Sequence, residues 1–328
     1  MIRFGIIGTN WITEEFLRCA NLHGDFKLEA VYSRTDEKAR EFALKHKATH
    51  VFTDLEEMAK SDVIDAVYIA TPNSFHAEQS ILFLNNKKHV LCEKPIASNT
   101  TELKKMISSA TQNNVLLMEA MKSTCLPNFK AIQENLDKAG KVRRYFSSYC
   151  QYSSRYDLYK AGKNPNAFNP KFSNGSLMDI GVYCIYPLVA LFGVPESITA
   201  SATILESGVD GAGSITMHYE DMDAIIIHGK ITNSYVSSEI QGEAGSIVID
   251  KISRPGSVMV HYKDGSTENI AKDKSEDAMF YEVDEFIRTI KSGKIESGVN
   301  THELALQVMG VLDEVRRLSG IIFPADSK

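Results

Sequence analysis

Three side chains able to hold or exchange protons stand out by where they fall. Lys94 ends "HVLCEKPIAS" (89–98), whose first residues read as a buried strand, and Pro95 directly after it stops any ladder. Asp179 and Tyr183, in "DIGVY", are four residues apart, so on a helix running from about Asp179 to Phe192 they share one face. A second group of residues suits phosphate. "GIIGTNWIT" follows the first apolar run and opens a helix-like stretch, where N–H groups and the helix dipole attract a pyrophosphate. Against the pattern G-x-G-x-x-G only Gly8 matches, with Asn10 and Thr13 at the other glycine positions, and Asn tolerates left-handed backbone better than most residues. Taken alone, the turn fits equally well a tight connection with no ligand. The next strand-like run ends "VYSRT", with Ser33 and Arg34 where an NAD enzyme usually places a carboxylate on the ribose hydroxyls. Arginine offers a planar fork to a 2′-phosphate and a flat face to adenine, and Ser33 adds one donor, so NADP is preferred, with NAD possible.

Positioning these groups takes a regular scaffold. From residue 2 to about 121, "RFGIIG", "KLEAVYS", "DAVYIAT", "HVLCEK" and "VLLMEAM" are strand-like and alternate with stretches of helical spacing such as "ITEEFLRCANLHG" and "SNTTELKKMISSATQNN". Strands apolar on both faces, separated by helix-length segments, predict a doubly wound parallel sheet of the Rossmann type, with its site at the carboxyl ends of the strands. "ATPNSFHAEQ" (70–79) and "CEKP" (92–95) then open on the same rim as Gly8. After Pro127 the rhythm changes. A helix-like "FKAIQENLDKAG", a strand "VRRYFSSYCQYS", a polar loop through Pro165 and Pro170 and the helix to Phe192 give way to closely spaced strands with Gly, Asp and Asn punctuation, and two helices end the chain. The expected fold class is α/β: a dinucleotide-binding domain over 1–122, then an α/β domain over 123–328 with a large, mostly antiparallel open sheet for substrate binding and oligomerisation.

In "GIIGTN", "ATPNSFH", "EKPIA" and "SNGSLMDIGVY", in that order, and down to "FYEVDEFI" and "GIIFPAD", the sequence resembles the glucose-fructose oxidoreductase and inositol dehydrogenase (Gfo/Idh/MocA) family, closest in motif to its dihydrodiol and aldose dehydrogenase branch. The resemblance implies hydride transfer between a nicotinamide and a sugar, polyol or trans-dihydrodiol, by an enzyme acting on CH–OH groups without a metal. It places Lys94 beside the nicotinamide and the reacting hydroxyl, often with a cis Lys-Pro bond. A lysine beside a cationic ring and partly buried should have a lowered pKa. Tyr183 becomes the general acid/base and Asp179 the substrate anchor. Gly8, Thr9, Asn10, Trp11, Ile12, Ser33, Arg34, Thr71, Pro72, Asn73, His76, Glu93 and Lys94 become the cofactor site, with Glu93 orienting its loop and Phe75 and His76 lining the cleft or capping a helix. Family members acting on inositols carry histidine where Tyr183 stands. Asn174, where glycine is common, and Thr124, where arginine is common, depart from the pattern, with Lys122 a nearby polar substitute.

Composition excludes several classes. A formal net charge of −6 with dispersed lysines and arginines leaves no nucleic-acid footprint. The N-terminus lacks the pattern of a signal peptide and the apolar run "YCIYPLVALFGV" is short for a bilayer, so the expectation is a cytoplasmic protein. Five isolated cysteines fit reduced thiols, and His46 and His50, although at ligand spacing, lack a third ligand. A homodimer or higher homo-oligomer is expected from the strand-rich second domain. The rivals are a non-catalytic NADP-binding sensor or interaction protein and an NAD-dependent dehydrogenase of the inositol type, which Arg34 and Tyr183 both disfavour.

Overall fold

Short runs apolar on both faces become a parallel sheet when helices cover both sides. In the computed structural model, which describes residues 1–272 and 277–327, the first half of the chain does this. Strands β1 (Ile2–Ile7), β2 (Phe26–Tyr32), β3 (His50–Phe52), β4 (Ala66–Ile69), β5 (His89–Glu93) and β6 (Leu117–Ala120) pair in parallel in the order β3-β2-β1-β4-β5-β6. Helices α1 (Trp11–Ala20), α2 (Asp36–His46), α3 (Leu55–Lys60), α4 (His76–Asn85) and α5 (Thr100–Asn113) connect them. Their ends follow local chemistry. Asn99 accepts from the Glu102 N–H at 2.9 Å to start α5, and Asn114, in left-handed backbone with φ 54°, ends it. The edge strand β3 and the short α3 were not read from the sequence, because three residues carry no periodicity. His46 ends α2 and His50 starts β3, so the two share no helix.

By tertiary packing, Met1–Lys122 and Asp277–Leu306 form one unit and the rest of the chain a second. A second domain over 123–328 is therefore corrected for 277–306. The cause is the apolar stripe of the helix Ala278–Lys291, whose Met279, Val283, Phe286 and Ile287 are buried, with Phe286 5.7 Å from Phe4 of β1. Ion pairs Arg18–Asp277 and Lys291–Asp25 lie at its two ends.

The second unit is built on strands β7 (Val142–Cys150), β8 (Ser197–Ile204), β9 (Asp210–His218), β10 (Asp223–Gly229), β11 (Ser238–Gly242), β12 (Gly245–Ile249), β13 (Val258–Tyr262) and β14 (Thr267–Asn269), in the order β14-β13-β12-β11-β7-β10-β9-β8. Every pair is antiparallel except β7 with β10. Alternation gives the sheet one buried face, for example Ala224, Ile226 and His228 on β10. The helix Val182–Phe192, buried from Val182 to Val189, packs there, and Tyr145 on β7 donates to its Cys184 carbonyl at 3.0 Å. The expected helix starts earlier than Asp179, and the helical run Pro170–Phe192 is long and apolar enough to cross a bilayer by length and composition, contrary to the shorter run read from the sequence. Its most apolar window is 78% buried, as befits a core helix. The loop through Pro165 and Pro170 is less polar than expected: Phe168 lies 5.5 Å from Tyr156 and 5.3 Å from Tyr159.

Candidate active site

The residues expected at a cofactor all leave the carboxyl ends of parallel strands: Gly8–Ile12 after β1, Ser33 and Arg34 after β2, Thr71–Asn73 and His76 after β4, Glu93 and Lys94 at the end of β5. Gly8 has φ +105°, and a Cβ there would stand 2.5 Å from the Ala70 carbonyl oxygen, so only glycine lets the turn pass so close to the end of β4. Asn10 is not left-handed. It is extended (φ −114°, ψ 179°) and caps α1, its Oδ1 accepting from Ile12 N–H at 3.0 Å and Thr13 N–H at 3.3 Å while its Nδ2 donates to the Ala70 carbonyl at 2.7 Å. Thr13 donates to the Gly8 carbonyl at 2.7 Å. The two residues that break the glycine pattern are thus ties within the turn. Their consequence is that two of the helix's first N–H groups are already taken, leaving the dipole and the rest of the turn to meet an anion. Trp11 is exposed, Ser33 is buried, and the exposed Arg34 makes no ion pair among the described residues.

The turn after β5 is held from several sides. Tyr68 on β4 donates to Glu93 Oε1 at 2.5 Å, and Glu93 Oε2 accepts from its neighbour's N–H, that of Lys94, at 3.2 Å. Glu93 thus ties the end of β5 to β4 and to the first N–H of the turn. The Lys94–Pro95 bond is cis. Ile96 N–H donates to Glu119 Oε1 at 3.0 Å. His76, buried at the start of α4, sets Nδ1 2.9 Å from the Pro95 carbonyl and Nε2 2.8 Å from the Thr71 carbonyl, so one ring touches both turns. Burial lowers the pKa of His76 against the opposing pull of those carbonyls.

Two acids missed by sequence reasoning surround this turn. Burial, with Glu93 adding to it, pushes Glu119 up to about 8, and the Ile96 N–H opposes. Glu282, on the helix Ala278–Lys291, is fully buried, with neither oxygen hydrogen-bonded among the described residues; burial and then Glu93 push it well up, Lys122 opposing. Burial thus favours the protonated form of both acids. A glutamate inside an apolar strand ("VLLMEAM") or on an apolar helix stripe was the available signal.

In the second unit, Leu177–Gly181 is a π-helical turn that runs into the helix Val182–Phe192, so Asp179 and Tyr183 do not sit on regular i, i+4 positions. Such inserted residues redirect side chains and are frequent at functional sites. Pro187 lacks the N–H that would donate to the Tyr183 carbonyl, so the helix is irregular on both sides of Tyr183. The Tyr183 ring is buried, 5.8 Å from that of Tyr149. Asp179 Oδ2 pairs with Lys230 Nζ at 2.6 Å. Asp210 Oδ2 accepts from Leu177 N–H at 2.6 Å, and Ser176 Oγ lies 2.8 Å from His228 Nδ1. Burial pushes Asp210 up to about 7 and His228 down to about 4, so between those values neither is charged and their 3.9 Å contact is not an ion pair. Left-handed backbone falls on Ser173 (φ 52°) and Gly175 (φ 151°), where a Cβ would stand 2.0 Å from Asp210 Oδ1. Asn174 replaces a glycine without that strain.

Profile comparison matches residues 2–121 to the oxidoreductase family with an NAD-binding Rossmann fold and residues 130–248 to the GFO/IDH/MocA C-terminal domain. The chain belongs to the GFO/IDH/MocA oxidoreductase family. Within it, the chain is 57% identical to scyllo-inositol 2-dehydrogenase (NADP(+)) IolU of Bacillus subtilis, over 99% of both chains. It is 30% identical to trans-1,2-dihydrobenzene-1,2-diol dehydrogenase of Danio rerio, over 100% of this chain and 99% of that one. Its fold is that of the 3-ketoreductase KijD10 of Actinomadura kijaniata, solved with NADP and TDP-benzene, at a TM-score of 0.86 and 22% identity over 97% and 98% of the two chains. In family terms, the sheet-edge turns of the first unit belong to the NAD-binding domain, and the π-turn with Asp179 and Tyr183 belongs to the C-terminal domain.

Proposed function

We propose that the protein is an NADP-preferring dehydrogenase of secondary hydroxyls on uncharged polyols, cyclic polyols of the inositol type foremost. The observation that carries this is the 57% identity, end to end, with a protein named for scyllo-inositol and NADP(+). That relative separates two things the sequence reading had joined, inositol oxidation and NAD. Arg34, exposed after β2 beside Ser33, supports the same cofactor, since a guanidinium attracts a 2′-phosphate that a carboxylate would repel.

The close turn at Gly8, the start of α1, Thr71–Asn73 and the Glu93–Lys94 turn fit a dinucleotide and would hold it. When bound, that cofactor supplies the acceptor or donor of the hydride. Lys94 hydrogen-bonds the reacting hydroxyl, Tyr183 takes or returns its proton, and Asp179 accepts hydrogen bonds from neighbouring hydroxyls.

The test is a panel of inositols, trans-dihydrodiols, aldoses and dicarbonyls with both cofactors, followed by the absorbance of the reduced nicotinamide. Turnover of an inositol with NADP⁺ above NAD⁺ is expected. Fastest turnover of a dihydrodiol, the reaction named for the Danio rerio relative, would move the substrate class, and NADPH binding without turnover of anything would favour a sensor. The setting we propose is a homodimer, supported by the open sheet of the second unit; sedimentation as a monomer at working concentration would discard the dimer.

A further inference from the structure

Lysine ammonium groups are rarely taken out of water, because desolvation costs several kcal/mol unless partners replace the hydration shell. Lys230, just past the end of β10, is 3% exposed. Its Nζ lies 2.6 Å from Asp179 Oδ2, 3.3 Å from the Ala167 carbonyl oxygen and 5.3 Å from the centre of the Phe168 ring. A carboxylate, a carbonyl and a π-face thus stand close to the ammonium. The backbone on either side is fixed as well: Lys230 N–H donates to the Gly211 carbonyl, and the Lys230 carbonyl accepts from Ser153 N–H, both at 2.8 Å. Burial within the pair is unequal, the lysine side chain being 4% exposed and that of Asp179 37%. The rigid, dry member is the cation, and the carboxylate is the member that reaches solvent.

We propose that Lys230 is a positioning residue for Asp179, fixing the direction of its carboxylate and holding it in the ionised, accepting form, so that the pair selects substrates presenting uncharged hydroxyl donors. This rests on the proposed role of Asp179 as substrate anchor. The π-turn gives Asp179 an irregular backbone, so the direction of its carboxylate is not set by helical geometry alone, and a buried ammonium at 2.6 Å from one oxygen constrains it. The charges of the pair sum to zero. It therefore offers no net attraction to a substrate carboxylate or phosphate, but offers acceptors to the hydroxyls of a neutral polyol.

The experiment compares Asp179→Asn, Lys230→Met, Lys230→Arg and the Asp179→Asn/Lys230→Met double variant in steady-state kinetics with the best polyol, alongside NADPH binding by fluorescence. Loss of a charge-assisted hydrogen bond predicts a rise in KM of roughly ten- to a hundred-fold in Lys230→Met, with a smaller change in kcat and unchanged NADPH affinity. The double variant should be no worse than the poorer single variant, and Lys230→Arg should recover most of the loss. Should Lys230→Met fail to fold, Lys230→Gln, which keeps a donor and loses the charge, takes its place. A normal KM in Lys230→Met beside an impaired Asp179→Asn overturns the proposal alone, as does a double variant whose losses multiply. A normal Asp179→Asn instead overturns the substrate-anchor reading on which the proposal stands. A crystal structure of Lys230→Met with the Asp179 carboxylate in its wild-type direction also overturns it, whatever the activity.

Discussion

The turn after β5 and the π-helical turn before Val182 each bring a titratable side chain to a strand or helix end, and each is tied down by a carboxyl group distant in sequence that accepts a backbone N–H. Glu119 accepts from Ile96, Asp210 from Leu177. Both acids are buried and both are pushed up, to about 8 and about 7. The two regions differ in how they handle charge. Around the first turn burial pushes the surrounding acids Glu119 and Glu282 toward the neutral form, whereas the second keeps a formal ion pair, Lys230 with the half-exposed Asp179. The buried carboxyl groups that accept Ile96 N–H and Leu177 N–H are thus pushed toward the neutral form, whereas the one proposed to meet a ligand is paired with a cation.

The sharpest break between the two regions is expected in catalysis. Lys94→Met should cut kcat by roughly 10²–10⁴-fold while NADPH affinity stays near wild type, and Tyr183→Phe should fall within the same range. Turnover like that of wild type in Lys94→Met would remove the first turn from the chemistry and leave the second to act alone.

Next in size is a pH effect on stability from Asp210. Its folded pKa of about 7 lies above the ordinary value of 3.8, so the folded state binds an extra proton between those limits. The associated stability is fully present below the lower value and is lost as pH rises through the folded pKa. Asp210→Asn mimics the neutral acid. Its stability relative to wild type should therefore rise by on the order of 3 kcal/mol between pH of about 4 and 8, read from urea unfolding at each pH. A difference independent of pH would mean that Asp210 is ionised in the fold and that the two turns are not buttressed alike.

Much of this was legible in the residues, and what was not has a physical cause. Strand and helix alternation marked the parallel sheet because its strands are buried on both faces, and the glycine-bearing turn, the EKP turn and the Asp179–Tyr183 segment, the candidate site, stand out by residue type and position. Lys230 was missed although it carries the signal that exposed Lys94, a lysine closing an apolar run, here "DAIIIHGK". Nothing in a linear sequence says that its ammonium turns inward to a carboxylate 51 positions earlier. Glu119, Asp210 and Glu282 were missed for the same reason, since an acid reads as solvent-facing until packing removes its water. The fold of 277–306 onto the first unit was hidden because an apolar helix stripe does not name the surface it covers.

Arg34→Ala sharpens the comparison from the cofactor side. Loss of a charge-assisted contact to a 2′-phosphate should weaken NADP by about 1.5–3 kcal/mol and NAD by much less, measured by titration of both. Equal losses would show that Arg34 serves the fold of the β2 end and not the phosphate.

The smallest expected effect separates the two jobs of the first turn, holding itself and holding a ligand. Asn10→Gly restores the second glycine of the dinucleotide pattern. It removes the cap on Ile12 and Thr13 and the bond to the Ala70 carbonyl. A glycine cap costs only a few tenths of a kcal/mol and one lost hydrogen bond about 1, so the melting temperature should fall by roughly 2–4 °C. Against that loss, two N–H groups at the start of α1 become available to a pyrophosphate, and NADP affinity should hold or rise. A fall in affinity would mean that the Asn10 amide itself carries the cofactor, in which case this turn, like the one at Asp179, binds through a side chain held in place by its neighbours and not through its backbone.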